Sequence, residues 1–194
     1  MSLKINGGIF KGISLQTPSG QKTRPTSNML REAVFNICQH HIQGANFLDI
    51  FAGTGAMGLE AISRGACSAT FLENDKQAIS CIKKNIEKLA VDNQACLLPQ
   101  DVLISLKKLQ GNTFELIYID PPYGEKTQEI RSLELIKRIL SFLDTHLTTS
   151  STWIFVEFSS YCKEDLTAIP MQNFRWEPKR TFARSDLYLL KAFK

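Results

Sequence analysis

Asp120-Pro121-Pro122-Tyr123 places a carboxylate, two prolines and an aromatic ring in one row. The row follows Leu116-Ile117-Tyr118-Ile119, an apolar run that reads as a buried strand. Neither proline can donate to a strand ladder, so pairing must stop at Asp120 and the chain must turn rigidly there. Such a turn gathers a carboxylate, fixed carbonyls and a ring at a strand's C-terminal end, where open α/β sheets bind ligands. The chemistry it suits is attack by a planar exocyclic amine. Tyr123 would stack on the ring bearing the amine, while Asp120 and the Pro121 carbonyl accept its N–H bonds.

A second constellation lies upstream. Gly53-Thr54-Gly55-Ala56-Met57-Gly58 fits G-x-G-x-x-G, and Glu73 follows at the spacing of a dinucleotide fingerprint. An NAD-linked oxidoreductase is therefore one reading. Asp49, just before the glycines, favours another: its charge would repel a pyrophosphate but suits the amino and sulfonium end of S-adenosylmethionine. Glu73 can accept from both hydroxyls of a ribose. Asp101 can accept from an adenine amino group or cap a helix, and Val102 can pack on the adenine ring. Phe51, Thr54 and Asn74 complete the candidate cofactor contacts. Asp49 as a plain turn residue is the alternative without function.

These residues need elements to hold them, and from residue 46 onward strand and helix patterns alternate. Strands are expected at 47–51, 69–73, 94–98, 115–120 and 153–158. Helices are expected at 56–64, 75–90, 102–109 and 128–143, with a short helical piece near 162–166. Two last strands, near 173–181 and 186–193, flank Ala183-Arg184-Ser185 as a hairpin. The expected fold is α/β and Rossmann-like: a seven-stranded, mostly parallel sheet with an antiparallel C-terminal hairpin. Residues 1–45 read as a separate arm, a glycine-punctuated β-hairpin followed by a lid helix with Thr26 or Ser27 as N-cap. Residues 46–194 form the main domain.

The chain of 194 residues carries a net charge of +4, too mild alone to imply nucleic acid. Its distribution says more. The first 31 residues hold Lys4, Lys11, Lys22, Arg24 and Arg31 without a single acid, and Lys179, Arg180 and Arg184 cluster near Trp176 and Phe182. Basic residues beside aromatics suit a phosphate backbone with splayed bases, although a solvated surface explains them too. The five cysteines are widely spaced and form no ligand pattern with the three histidines, so no metal is expected. With no signal-like or membrane-length apolar run, a cytoplasmic protein is expected, and nothing demands more than a monomer.

With Asp49, Phe51, Gly53, Gly55, Glu73 and the Asp-Pro-Pro-Tyr turn in this order, the chain resembles S-adenosylmethionine-dependent amino methyltransferases. More closely, it resembles the bacterial 16S rRNA guanine-N2 methyltransferases over almost its whole length. Gly7-Gly8 with Lys11-Gly12, Arg24-Pro25-Thr26 and Arg31-Glu32-Ala33-Val34-Phe35-Asn36 carry that likeness, as does the stretch from Asp49 to Gly65. Asn6, Phe10 and Ala183 depart from the family's pattern. The resemblance implies a class I methyltransferase fold and S-adenosylmethionine turned over to S-adenosylhomocysteine. It also implies the small (30S) ribosomal subunit as partner and N2 of guanine 966 as target. Two other functions stay open: an adenine-N6 methyltransferase on DNA or RNA, which shares the Asp-Pro-Pro-Tyr turn, and a non-enzymatic RNA-binding assembly factor.

Overall fold

A computed structural model describes residues 3–18, 28–122, 126–146 and 149–193. At its centre is a seven-stranded sheet in the order β3-β2-β1-β4-β5-β7-β6. Strands β1 (Asn46–Ile50), β2 (Ser68–Glu73), β3 (Ala95–Pro99), β4 (Leu116–Ile119) and β5 (Trp153–Ser159) run parallel. Strands β6 (Phe174–Phe182) and β7 (Ser185–Ala192) add the antiparallel hairpin at one edge. The expected fold class is thus the observed one. Helix α1 (Asn28–Ile37) precedes the sheet, and α2 (Ala56–Ser63), α3 (Lys76–Leu89), α4 (Val102–Lys108) and α5 (Lys126–His146) form the crossovers. The helical piece expected near 162–166 lies later, as a 3₁₀ turn at Leu166–Ala168 where Asp165 caps the Thr167 N–H.

Helices cover both faces, which is why β4 reads as an unbroken apolar run with all four residues buried. On one face, Phe47, Phe71, Tyr118 and Phe155 pack with residues of α1, α2 and α3. On the other, Ile50, Ile117, Ile119 and Val156 pack with α4 and α5. Each Leu or Ile fully buried here contributes about 1.5–3 kcal/mol relative to exposure. The outer strand β6 is mostly exposed, and Pro178 within it coincides with a register shift between Glu177 and Arg180. A proline that cannot donate, set among basic residues, suits an edge that must not pair with another sheet.

The segment before β1, expected as a β-hairpin arm and lid helix on the α/β body, contributes side chains to the core. It forms a short hairpin, with a Lys4–Ser14 bridge, the Leu15 N–H donating to the Leu3 carbonyl and the Gly12 N–H to the Ile5 carbonyl at 2.8 Å, and the Ile5 N–H to the Ile13 carbonyl at 3.0 Å; Leu3, Ile5 and Leu15 are buried in the same cluster as Phe47 and Ala69. Its tip is docked on the end of α2: Ser63 Oγ donates to the Gly7 carbonyl at 2.6 Å, and the Ile9 N–H donates to the Ser63 carbonyl at 2.8 Å. Gly8, at φ +78°, makes this approach possible, since a Cβ there would fall 1.8 Å from the Ser63 oxygen. Helix α1 likewise buries Leu30, Arg31, Val34 and Phe35. Thr26 and Ser27, the expected N-caps, lie outside the described residues.

Candidate active site

Strands β1 and β4 are neighbours although β1 connects onward to β2, so the chain's winding reverses between them. At such a switch point the strand ends diverge and open a crevice. Asp49 on β1 is in register with Tyr118 on β4, and the Asp120 N–H donates to the Ile50 carbonyl at 3.3 Å. Asp49 and Asp120 therefore flank the same crevice from adjacent strands.

Asp49 is 1% exposed and its Oδ2 accepts from the Gly58 N–H at 2.9 Å, in the first turn of α2. Burial pushes its pKa up to about 8, a rise that the Gly58 hydrogen bond opposes and nearby Glu73 reinforces. A carboxyl group held protonated by burial gives up its proton when a cationic ligand pairs with it. The loop after it is held in an unusual form. Phe51 sits at φ +66°, which costs a side-chain-bearing residue on the order of 1–2 kcal/mol. The N–H groups of Phe51 and Ala52 both donate to the Leu72 carbonyl at 3.0 Å and fix the turn. Gly53, at φ +57°, would carry a Cβ into open space, as a backbone facing a ligand should.

Glu73 closes the loop. Its Oε2 accepts from the Gly53 N–H at 2.8 Å, and its Oε1 accepts from Asn74 and Asp75 N–H groups at 2.8 and 2.9 Å. The carboxylate is thereby held in one orientation at the end of β2. Asp101 caps α4, accepting from Leu103 and Ile104 N–H groups at 2.9 and 3.3 Å. Val102 beside it is buried in the cluster of Leu48, Ile50 and Leu72. The residues present fit S-adenosylmethionine: a buried carboxylate for its cationic end, an oriented carboxylate for its ribose, and an open glycine backbone between.

Of the turn after β4, Pro121 is buried and Pro122 exposed, and the Pro122 carbonyl accepts from Ser132 Oγ on α5. Helix α5 therefore pins the turn from below. Tyr123 lies outside the described residues, as do Lys22 and Arg24.

The basic residues divide. Lys4 and Lys11 are exposed along an open groove with Asn28 and Glu32, and Arg180 and Arg184 are exposed on the hairpin. Lys179 is tied to Asp186 at 2.7 Å. Arg31, expected as an RNA contact, is not on the surface. Its side chain is 0% exposed, with Nε 2.9 Å from Glu60 Oε2 and Nη2 donating to the Lys4 carbonyl and to Asn6 and Asn28 side chains. Glu60 also accepts from Arg64 and from the Asn6 N–H. Sequence reasoning placed the cation outside by default, but the apolar neighbours of Arg31 turn it inward, where Glu60 neutralises it.

Two supporting residues carry no motif. Asn85 of α3 donates to the Thr54 carbonyl at 3.0 Å and exchanges hydrogen bonds with the Gln16 backbone, tying the glycine loop to the N-terminal segment. A signal existed, since Asn85 interrupts the apolar face formed by Ile82, Ile86 and Leu89. Glu157 of β5, buried, accepts from the Tyr118 hydroxyl. Only the pairing of distant strands reveals that contact.

The family described as conserved hypothetical protein 95 matches residues 3–188. Ribosomal RNA small subunit methyltransferase D of Buchnera aphidicola is 32% identical over 154 residues, covering 79% of this chain and 76% of that protein. The protein of the same name from Escherichia coli is 35% identical over 121 residues, covering 62% of this chain and 60% of that one. Among solved structures, yhhF of Escherichia coli superposes with a TM-score of 0.83 at 27% identity, covering 100% of this chain and 99% of that one.

Proposed function

The chain belongs to the conserved hypothetical protein 95 family of RsmD-type S-adenosylmethionine-dependent methyltransferases, and we propose that it methylates the exocyclic N2 of a guanine in small-subunit rRNA. The observation that carries this reading is the placement of Asp49 and Asp120 on adjacent strand ends at the switch point. One carboxylate faces a cationic donor and the other an amine acceptor, with the glycine loop between. When bound, S-adenosylmethionine supplies an electrophilic methyl group on sulfur.

The exocyclic nitrogen of guanine is a weak nucleophile because its lone pair is delocalised into the ring. Acceptance of its N–H bonds by Asp120 and the Pro121 carbonyl favours a pyramidal nitrogen and frees that pair for attack. Ser132 holds the turn in place for this purpose. Tyr123 stacks on a base drawn out of its helix. Proton loss follows transfer, so Asp120 need not begin as a strong base. Oriented approach can supply about 7–11 kcal/mol of the acceleration in favourable cases. Asp101 and Val102 serve the adenine end of the donor.

The test uses small subunits and free rRNA from cells lacking the protein, incubated with methyl-labelled S-adenosylmethionine and mapped by mass spectrometry. N2-methylguanine, at position 966 by resemblance, is the expected product. N6-methyladenine would establish the adenine reading instead, and cofactor binding without transfer to any RNA would establish a binding module. Asp120→Ala is expected to abolish transfer while leaving the dissociation constant for S-adenosylmethionine within a few-fold; normal turnover would end the proposed role.

A further inference from the structure

Tyr161, in the turn after β5, is 69% exposed. Among the described residues its hydrogen bonds reach neither the glycine loop nor the turn at Asp120, yet it lies at the same end of the sheet, beyond the C-termini of the parallel strands. Ile119 of β4 is in register with Val156 of β5, and Ser159 at the end of β5 with Ser185 at the start of β7. The turns after β4 and β5 and the β6–β7 turn thus share one end of the sheet, with neighbouring strands about 4.8 Å apart. The Tyr161 N–H donates to Ser159 Oγ at 3.3 Å, and the Ser160 N–H donates to the Arg184 carbonyl at 3.1 Å. These bonds hold the backbone beneath the exposed ring and join it to the turn carrying Arg184.

The segments joined beneath the ring carry basic side chains: Lys163 two residues on, and Arg184 in the turn that Ser160 bonds. Lys163, Arg180 and Arg184 are exposed, and among the described residues none is ion-paired with an acid. The acids of this region are otherwise engaged. Asp186 holds Lys179 and the Thr181 hydroxyl, Asp165 caps the 3₁₀ turn, and Glu164 lies 3.9 Å from Lys137. A single exposed planar ring on segments that also carry cations, rather than a broad apolar patch, matches the chemistry of an unstacked base with its phosphates.

We propose that Tyr161 is a stacking platform for an RNA base flanking the target nucleotide, with Arg184 and Lys163 on the adjoining phosphates. The proposal rests on reading the chain as an RNA methyltransferase. The target base occupies the crevice at Asp120, and its neighbour in the strand is drawn across the end of β5 onto Tyr161. The ring, not the hydroxyl, does the holding.

Steady-state methylation and equilibrium binding by the full-length chain, on naked small-subunit rRNA and on assembled small subunits, test this. Tyr161→Ala is expected to weaken RNA binding between about 5-fold and 150-fold, the range of base–aromatic stacking, with the dissociation constant for S-adenosylmethionine unchanged. Tyr161→Phe should restore wild-type binding. The slope of log affinity against log salt should stay unchanged in Tyr161→Ala and fall by about 0.7 in Arg184→Ala. Unaltered RNA binding by Tyr161→Ala, or a Phe variant as weak as Ala, overturns the platform. So does a defect seen only on assembled subunits, which would assign the ring to a protein contact. Wild-type chain that transfers no methyl group to any RNA would sink the methyltransferase reading itself, an outcome distinct from active wild type with an indifferent Tyr161.

Discussion

At the scale of single residues, Asp49 is the group whose state is most altered by its surroundings. Its folded pKa of about 8 stands above the ordinary 3.8. The folded chain therefore holds this proton to higher pH than the unfolded chain, and ionising Asp49 across that interval costs stability in the ligand-free protein. A cation in the crevice reverses the preference, because the paired carboxylate is the favoured form. Binding S-adenosylmethionine at pH 7 is thus expected to release a large fraction of one proton. Titration calorimetry in buffers of differing ionisation heat measures it directly. Asp49→Asn should bind more weakly and release none; equal proton release by the variant would remove Asp49 from the cationic end. Ala183 illustrates a residue-level departure of another kind. It stands at φ +35° where the resembled family's pattern has glycine, so the hairpin turn tolerates a conformation that a Cβ disfavours.

At the scale of elements, the Arg31–Glu60–Arg64 cluster fastens α1, α2 and the N-terminal segment to one another. Removing one member of a buried pair strands the other charge, at a cost of about 3–5 kcal/mol. Glu60→Ala should lose stability of that size in urea or thermal denaturation, whereas breaking an exposed, solvent-screened pair such as Lys137–Glu134 should cost far less. A Glu60→Ala loss no larger than the surface pair's would show that the cluster is not structural. This cluster also marks where sequence reading stops. The alternation of strand and helix was legible because each period is local, and the glycine loop, Glu73 and Asp120 were legible because their spacing is tied to that alternation. Arg31 was misplaced because its partner sits on another helix. The docking of Gly8 on Ser63 and the bond from Asn85 to Thr54 likewise join segments far apart in the chain, which no local pattern records.

At the scale of the whole molecule, exposed basic side chains are spread over α3, α4 and α5 as well, and the candidate RNA contacts among them form two groups, Lys4 and Lys11 on the N-terminal segment and Lys163, Arg180 and Arg184 around the C-terminal hairpin. A net charge of +4 is a weak attraction for RNA by itself, so particular contacts have to be tested one group at a time. The burial of Leu3, Ile5 and Leu15 changes how the first region must be tested, because deleting the segment would open the core. Point substitution avoids that. Lys4 and Lys11 are exposed, and the Lys4 backbone carbonyl that holds Arg31 survives any side-chain change. For single-stranded RNA each phosphate contact contributes about 0.7 to the slope of log affinity against log salt. If one RNA spans both regions, Lys4→Ala with Lys11→Ala should reduce the slope by about 1.4, and adding Arg180→Ala with Arg184→Ala should reduce it by about as much again. Binding measured from low to physiological salt reads both steps, with thermal stability as the control for folding. A slope indifferent to the first pair would confine the RNA to the hairpin side, and Lys4 and Lys11 would then be solvated charges on a segment whose role is to complete the core.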